Sequence, residues 1–553
     1  MTDAHLGFWP RRMPTSLPLP AAGVHHNLEV SARRYPECPA LVYYGEEITY
    51  RRLLEESRRL AGYLQREAGL SKGDRVLLYM QNSPQFVVAY YAALMSGGVV
   101  VPANPMLLTE ELEHYVEDSG ARLALVGQEL LPRVLPLAGR EGLGCVIVAA
   151  YSDYLPPEPE VSVPAEVAAP RETLREERVI LWEETLRAGL SPESGGPGPE
   201  DVALLPYTSG TTGRPKGCVH THRTVQATLV GAGLWVNLNP ASVALATLPL
   251  FHVTGMQHSM NAPIYYGGTV VLMTRWDREA AARLIERRRC THWTNISTMV
   301  VDFLSPGGVE GADLSSLMCV GGGGAPLPEA VGERLHRLTG LRYMEGYGLS
   351  ETVSQTHMNP PDRPKMQCLG IPSFDVDARV VDPDTLEELG PGEQGEIVVS
   401  GPQVMRGYWQ RPDADAEVFF ERDGRRFLRT GDLGRYDEEG YFFMVDRIKR
   451  MINAGGYKVW PAEVESVLYA HPAVREVCVI RSPDPRRGET VKAVVVPAGE
   501  VSGEEVISWA RERLAAYKCP RLVEFVGELP KSGSGKILWR ALGEREERRA
   551  VRG

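Results

Sequence analysis

The run YTSGTTGRPKG at residues 207–217 gathers three glycines, four Ser/Thr hydroxyls and one lysine into eleven residues. Glycine lets a backbone turn sharply and come close to a ligand. Backbone N–H groups, hydroxyls and an ammonium together suit a polyphosphate. The apolar residues 202–205 just ahead predict a buried strand feeding a loop rather than a flexible linker. The common P-loop order is absent, because Lys216 is followed by Gly217 instead of Ser or Thr. Further segments carry a histidine, carboxylates or lysines in glycine-rich settings: LPLFHVTG (248–255), GGGGAP (321–326), EGYGLSET (345–352), TGD (430–432), DRIK (446–449), NAGGYK (453–458) and PKSGSGK (530–536). Each alone is weak. A lone histidine at a strand end is more often a satisfied core residue. GGGGAP alone is a loop, EGYGLSET a turn with a solvated glutamate, and PKSGSGK a flexible arm.

The elements that must position these residues alternate. Thr49 caps a helix with Leu53, Leu54, Leu60, Ala61 and Leu64 at helical spacing. Residues 75–80 read as a strand. Ser83 then caps a helix with Pro84 at its first position; Val87, Val88, Tyr91 and Leu94 continue it and Gly97-Gly98 stops it. Residues 99–101 are the next strand, so a parallel α/β layer is expected. Residues 155–199, rich in Pro, Glu and Gly, predict an exposed excursion with one helix near 173–190. The α/β pattern resumes at Asp201 and runs to about Met444. Beyond it, Pro461 starts a helix, 477–480 and 491–496 are strands, Ser502 and Glu505 form a capping box, and 521–526 is a short strand. Residues 544–552 read as a solvated helical end. The expected fold class is α/β: a large N-terminal domain of several subdomains with parallel-type α/β layers (1–446), a junction at 447–450, and a small α+β domain (451–553).

A chain of 553 residues exceeds a single core. Hydrophobic content of 43% and charged content of 24% are ordinary for a globular protein. A net charge of −11 provides no electrostatic reason to bind nucleic acid. The eight cysteines show no CxxC pair and no metal-ligand spacing, which fits reduced thiols and a cytoplasmic setting. No signal-like apolar region opens the sequence. The longest apolar stretch, 86–101, is interrupted by Ser96, Gly97 and Gly98 and reads as helix plus strand rather than a membrane span.

In order, and over nearly the whole chain, these segments resemble the motifs of the adenylate-forming superfamily. It contains acyl-CoA synthetases, amino-acid adenylation domains of peptide synthetases, and luciferases. The resemblance implies ATP and coenzyme A as co-substrates, with Mg²⁺. It places Thr208, Ser209, Gly210, Thr211, Thr212, Gly213 and Lys216 at the phosphates, Lys216 at the pyrophosphate end. Gly323, Ala325, Pro326, Glu345, Gly346, Tyr347 and Gly348 would belong to the ATP/AMP site, with Tyr347 stacked on the adenine. Glu351, with Thr208, would hold Mg²⁺, and Thr352 would meet the α-phosphate. Asp432 would bind the ribose hydroxyls and Arg447 would add a ribose or phosphate contact. Lys449 matches the hinge of a small mobile C-terminal domain, and Lys536 the lysine brought to the reacting centre. His252 would sit where acid and adenylate meet. Gly455 and Gly456 would line a tunnel for the pantetheine arm, form an ordinary tight turn, or both.

An amino-acid adenylation domain would place an Asp near the start of the acid-binding motif, where this chain has His252-Val253-Thr254-Gly255-Met256. No segment with a phosphopantetheine-attachment serine follows Lys536, which favours free coenzyme A. Residues 348–361, GLSETVSQTHMNPP, look most like bacterial and archaeal long-chain fatty-acyl-CoA synthetases. Met256, Ser297, Thr298 and Val301 are uncharged pocket candidates that suit an aliphatic chain or an aryl acid. The expectation is ATP-dependent formation of acyl-AMP, then of a coenzyme A thioester. An aryl- or medium-chain ligase, a luciferase-like oxygenase and an inactive binding homologue are the alternatives; Glu351, Asp432 and Lys536 argue against the last. Expected partners are small molecules, with peripheral membrane contact and a homodimer left open.

Overall fold

Along the strand Arg75–Tyr79, Val76 and Leu78 enter one core while Leu77 and Tyr79 enter another. The same alternation recurs along Leu123–Gly127 and Cys145–Ala149. Strands buried on both faces read as continuous apolar runs, as parallel sheets do. A computed structural model describes residues 3–139, 142–174, 176–193, 195–208, 214–305, 309, 311–324, 326–447, 450–455, 457–484, 487–531 and 537–552. Among these, the strands above belong to a seven-strand sheet in the order His220–Thr221, Val202–Leu204, Val99–Pro102, Arg75–Tyr79, Leu123–Gly127, Cys145–Ala149, Val179–Leu181. Neighbouring strands pair in parallel except at the edge, where His220–Thr221 runs antiparallel to Val202–Leu204.

A second sheet runs Ile371–Pro372, Ser354–Met358, Met344–Leu349, Cys319–Gly323, His292–Asn295, Val243–Ala246, Thr269–Leu272, Pro39–Tyr43, Glu46–Thr49. It is parallel from Met344–Leu349 through Pro39–Tyr43 and antiparallel at both margins. The helix Pro84–Met95 is buried along its whole length, in the one core that also takes residues of both sheets. The expected caps form: Ser83 Oγ accepts from Phe86 N at 3.1 Å, and Thr49 Oγ1 from Arg52 N at 3.2 Å.

The chain divides into two compact units, Thr2–Asp377 with Val399–Leu428, and Ala378–Val398 with Arg429–Gly553. The smaller unit thus takes in residues on both sides of 447–450. Its long strands Val474–Asp484 and Gly488–Pro497 pair antiparallel, and Leu522–Phe525 adds in parallel. Helices Pro461–Tyr469 and Gly503–Arg511 cover one face.

Two expectations are corrected. In 155–199, Val179–Leu181 is a seventh sheet strand, and the helix shrinks to Trp182–Arg187, with Trp182 and Thr185 buried. The β-branched Val179 and Ile180 favour strand pairing over a continuous helix. The C-terminal end is not merely solvated. Within the helix Trp539–Arg552, Leu542 joins a second core on the sheet's other face, and Glu546 accepts from Ser482 Oγ at 2.7 Å and Lys492 Nζ at 2.5 Å.

Candidate active site

Four neighbouring parallel strands of the larger sheet deliver the motifs. Val243–Ala246 leads into 248–255 and His252, His292–Asn295 into Ser297, Cys319–Gly323 into Pro326, and Met344–Leu349 into Glu351. Because the strands are parallel, all four segments emerge at one sheet edge, beyond the carboxyl ends, where open α/β sheets bind ligands.

The phosphate motif is built on a short ribbon. Tyr207–Thr208 pairs antiparallel with Lys216–Gly217, setting Thr208 opposite Lys216. Directly opposed residues share a face, so the two side chains leave the ribbon on the same side. Ser209, Gly210, Thr211, Thr212 and Gly213 fall outside the described residues. Tyr207 anchors the ribbon: its hydroxyl donates to Asp118 at 2.8 Å and its ring lies 4.3 Å from that of Tyr115. Asp118 also pairs with Arg411, and its carbonyl accepts the Trp409 indole N–H at 3.0 Å.

Glu351 is half-buried. Its carboxylate accepts from the Tyr408 hydroxyl at 2.9 Å, and its backbone carbonyl accepts from Met405 N at 2.8 Å. The Tyr408 ring also lies under Lys216, with Nζ 4.9 Å from its centre. Burial and the neighbouring Glu351 push the Tyr408 phenol up, so it stays protonated and donates.

The turn after Glu351 is strained. Val353 has φ 43° and Ser354 φ 104°, a left-handed stretch without glycine. Thr352 is fully buried, and its hydroxyl lies 2.7 Å from Ser354 O and 3.0 Å from the donating Leu349 N, so it braces this turn. Gly348 permits it: a Cβ there would stand 1.8 Å from Ser354 O. Two neutral histidines flank the turn. His220, lowered to about 4 by burial, has Nε2 2.7 Å from Ser350 O; His258, also lowered to about 4 by burial, has Nε2 3.1 Å from Ser354 Oγ.

The glycine motif is not the expected loop, because Gly321–Gly323 belong to a parallel strand. A Cβ on Gly322 would meet Asn295 O at 1.8 Å, so glycine here serves close strand packing. Gly323 is half-buried and Pro326 exposed, while Ala325 lies outside the described residues. Glu345 is buried, and its Oε1 accepts from Leu327 N at 3.0 Å and Gln367 N at 3.3 Å, which fixes its carboxyl against the backbone of two loops. Burial raises its carboxyl to about 7. Tyr347 is only 8% exposed and its ring lies 5.6 Å from that of His357, while Gly346 is half-buried and Gly348 exposed on the same strand.

His252 is half-buried and precedes the π-helix Gly255–Asn261, a distortion frequent at functional sites. Its Nδ1 accepts from Thr254 N at 3.3 Å. The pocket candidates divide: Met256 and Ser297 are buried, whereas Thr298 and Val301 are exposed, three residues apart on the helix Ser297–Phe303.

In the smaller unit, Asp432 and Arg447 are cross-strand partners, with Arg447 Nε 2.9 Å from the buried Asp432 carboxylate. TGD is therefore part of the strand Arg425–Tyr436 rather than a surface turn. Asp446 accepts from Arg447 N and Ala462 N, each at 2.7 Å, and so ties the junction to the first turn of the helix Pro461–Tyr469. Gly455 is exposed with φ 69°, in the turn between two strands. Lys449, Gly456 and Lys536 lie outside the described residues. Sequence reasoning missed Tyr408, Asp118, His220 and Asp446; only the last sits inside a recognised motif, and nothing in spacing singles out the others.

The AMP-binding enzyme family matches residues 28–409, and the AMP-binding enzyme C-terminal domain matches 463–536. The chain belongs to this family, that of the adenylate-forming enzymes. It is 36% identical over 560 residues to a long-chain-fatty-acid–CoA ligase of Bacillus subtilis (strain 168), covering 98% of each chain. It is 38% identical over 516 residues to a feruloyl-CoA synthase of Amycolatopsis sp, covering 92% of this chain and 96% of that one. The structure is similar to that of ATP-bound MatB from Rhodopseudomonas palustris, with a TM-score of 0.83 and 28% identity over 95% of this chain and 99% of that one.

Proposed function

We propose that the protein is an AMP-forming acyl-CoA synthetase acting on long-chain fatty acids. The observation that carries this reading is the delivery of His252, Ser297, Pro326 and Glu351 to one edge by adjacent parallel strands. The likeness to a long-chain ligase along nearly its whole length supports the substrate class. The acid's carboxylate attacks the α-phosphorus of ATP, the bond to the bridging oxygen breaks, and pyrophosphate leaves. The thiolate of coenzyme A then attacks the acyl carbon of the adenylate and AMP leaves. Charge builds on phosphate oxygens in the first step, so positioning and electrostatics dominate.

In this reading Thr208 and Lys216 hold the phosphates, and His252 orients the carboxylate. Asp432 and Arg447 serve the ribose, 447–450 is the hinge, and Lys536 acts in adenylation. Among the described residues no group of three or more His, Cys, Asp or Glu could cage a metal ion. A pair of protein oxygens, from the Glu351 carboxylate and the Thr208 hydroxyl, would suit Mg²⁺, which prefers one or two protein oxygens plus phosphates and water. When bound, the ion offsets phosphate charge. Among the described residues no helix is long and apolar enough to cross a membrane, and we assign the activity to the cytoplasm. An aryl acid is the second reading, favoured by the feruloyl-CoA synthase likeness. The test is AMP release from ATP, Mg²⁺ and coenzyme A across fatty and aromatic acids. Long-chain acids should be fastest; faster turnover of cinnamates or benzoates selects the second reading, and no AMP with any acid refutes both.

A further inference from the structure

The segment 405–409 touches both halves of the phosphate site. Trp409 N donates to Gly217 O at 2.7 Å, and Arg406 N to Val219 O at 2.9 Å, so the segment lies along the outgoing arm of the ribbon. On its other side, Met405 N holds the backbone of Glu351 and the Tyr408 hydroxyl holds its carboxylate. The Tyr408 backbone is fixed in turn by Asp415, whose carboxylate accepts its N–H at 2.7 Å. A tyrosine that joins a carboxylate to a cation occurs elsewhere in the chain: Tyr154 donates to Glu56 at 2.6 Å with Arg52 over its ring at 5.1 Å. Tyr408 makes the same pair of contacts, and the two groups that it joins are Glu351 and Lys216. A ring quadrupole attracts a cation over its face, and a phenol donor orients a carboxylate.

We propose that Tyr408 is a positioning residue that aligns the Glu351 carboxylate for the metal and the Lys216 ammonium for the phosphates as a single unit. The proposal rests on the reading of Glu351 and Lys216 given above. Its test is equilibrium ATP binding without acid or coenzyme A, by calorimetry, in EDTA and across a Mn²⁺ series, with Mn²⁺ uptake read by electron paramagnetic resonance. Tyr408→Phe keeps the ring under Lys216 and deletes the donor. It should bind ATP in EDTA as the unmodified protein does, yet need about tenfold more Mn²⁺ for the same gain, the effect of losing one hydrogen bond to a charged group. Tyr408→Leu, which also removes the ring, should weaken ATP in EDTA as well. Circular dichroism checks that both variants are folded. A Tyr408→Phe protein with the unmodified Mn²⁺ dependence overturns the proposal. Failure of the unmodified protein to bind ATP at all would overturn the proposed function instead.

Discussion

Glu345→Gln should make the protein less sensitive to alkaline pH. Burial lifts the Glu345 carboxyl from 4.5 to about 7, with backbone N–H groups of Leu327, Gln367 and Cys368 pulling the other way. The unfolded chain ionises there near 4.5, so the folded state holds an extra proton between those values. Stability from this group is therefore complete below about pH 4.5 and is lost as pH rises through about 7. At about 1.4 kcal/mol per pH unit, the gap corresponds to about 3 kcal/mol. Glutamine copies the protonated acid: one oxygen accepts from Leu327 and Gln367, and the amide supplies the donor. The difference in stability between variant and unmodified protein should thus move by about 2.5 kcal/mol in the variant's favour from pH 5 to pH 8. Urea unfolding followed by tryptophan fluorescence at both pH values measures it. Parallel curves would show that Glu345 is ionised throughout, and the burial argument would fail.

Gly348→Ala would put a Cβ 1.8 Å from Ser354 O, forcing the strained turn to shift by about 1 Å. A displacement of that size at Glu351 should lower ATP–pyrophosphate exchange by about 100-fold in protein that still folds; full exchange would show that this turn does not set the carboxylate. In the smaller unit, Glu546→Ala removes charge-assisted bonds to Lys492 and Ser482. It should release the helix Trp539–Arg552 by about 2 kcal/mol, seen as hydrogen exchange of its amides about 30-fold faster. Unchanged protection would mean that apolar packing around Leu542 suffices.

Much of the fold was legible because its signals are local. Caps at Thr49 and Ser83, the breaker at Gly97-Gly98 and the capping box at Ser502 act within a few residues, and each element forms near its expected place. Where neighbours decide, local reading failed. Val179–Leu181 becomes a strand because Cys145–Ala149 offers it an edge. Gly321–Gly323 look like a loop until flanking strands crowd their α-carbons.

The chemistry divides in the same way. By itself the sequence determined which groups exist for it: hydroxyls and a lysine in a glycine-rich run, a carboxylate after a glycine-bearing turn, a histidine before a small-residue step. These are properties of side-chain type and short spacing. Which of them meet, and what holds them, only the tertiary structure decided. Parallel pairing brings four distant segments to one sheet edge. Tyr408 reaches Glu351 across 57 positions of chain, and Asp118 reaches Tyr207 across 89. The physical reason is that no local preference encodes such contacts; they follow from which strands lie side by side.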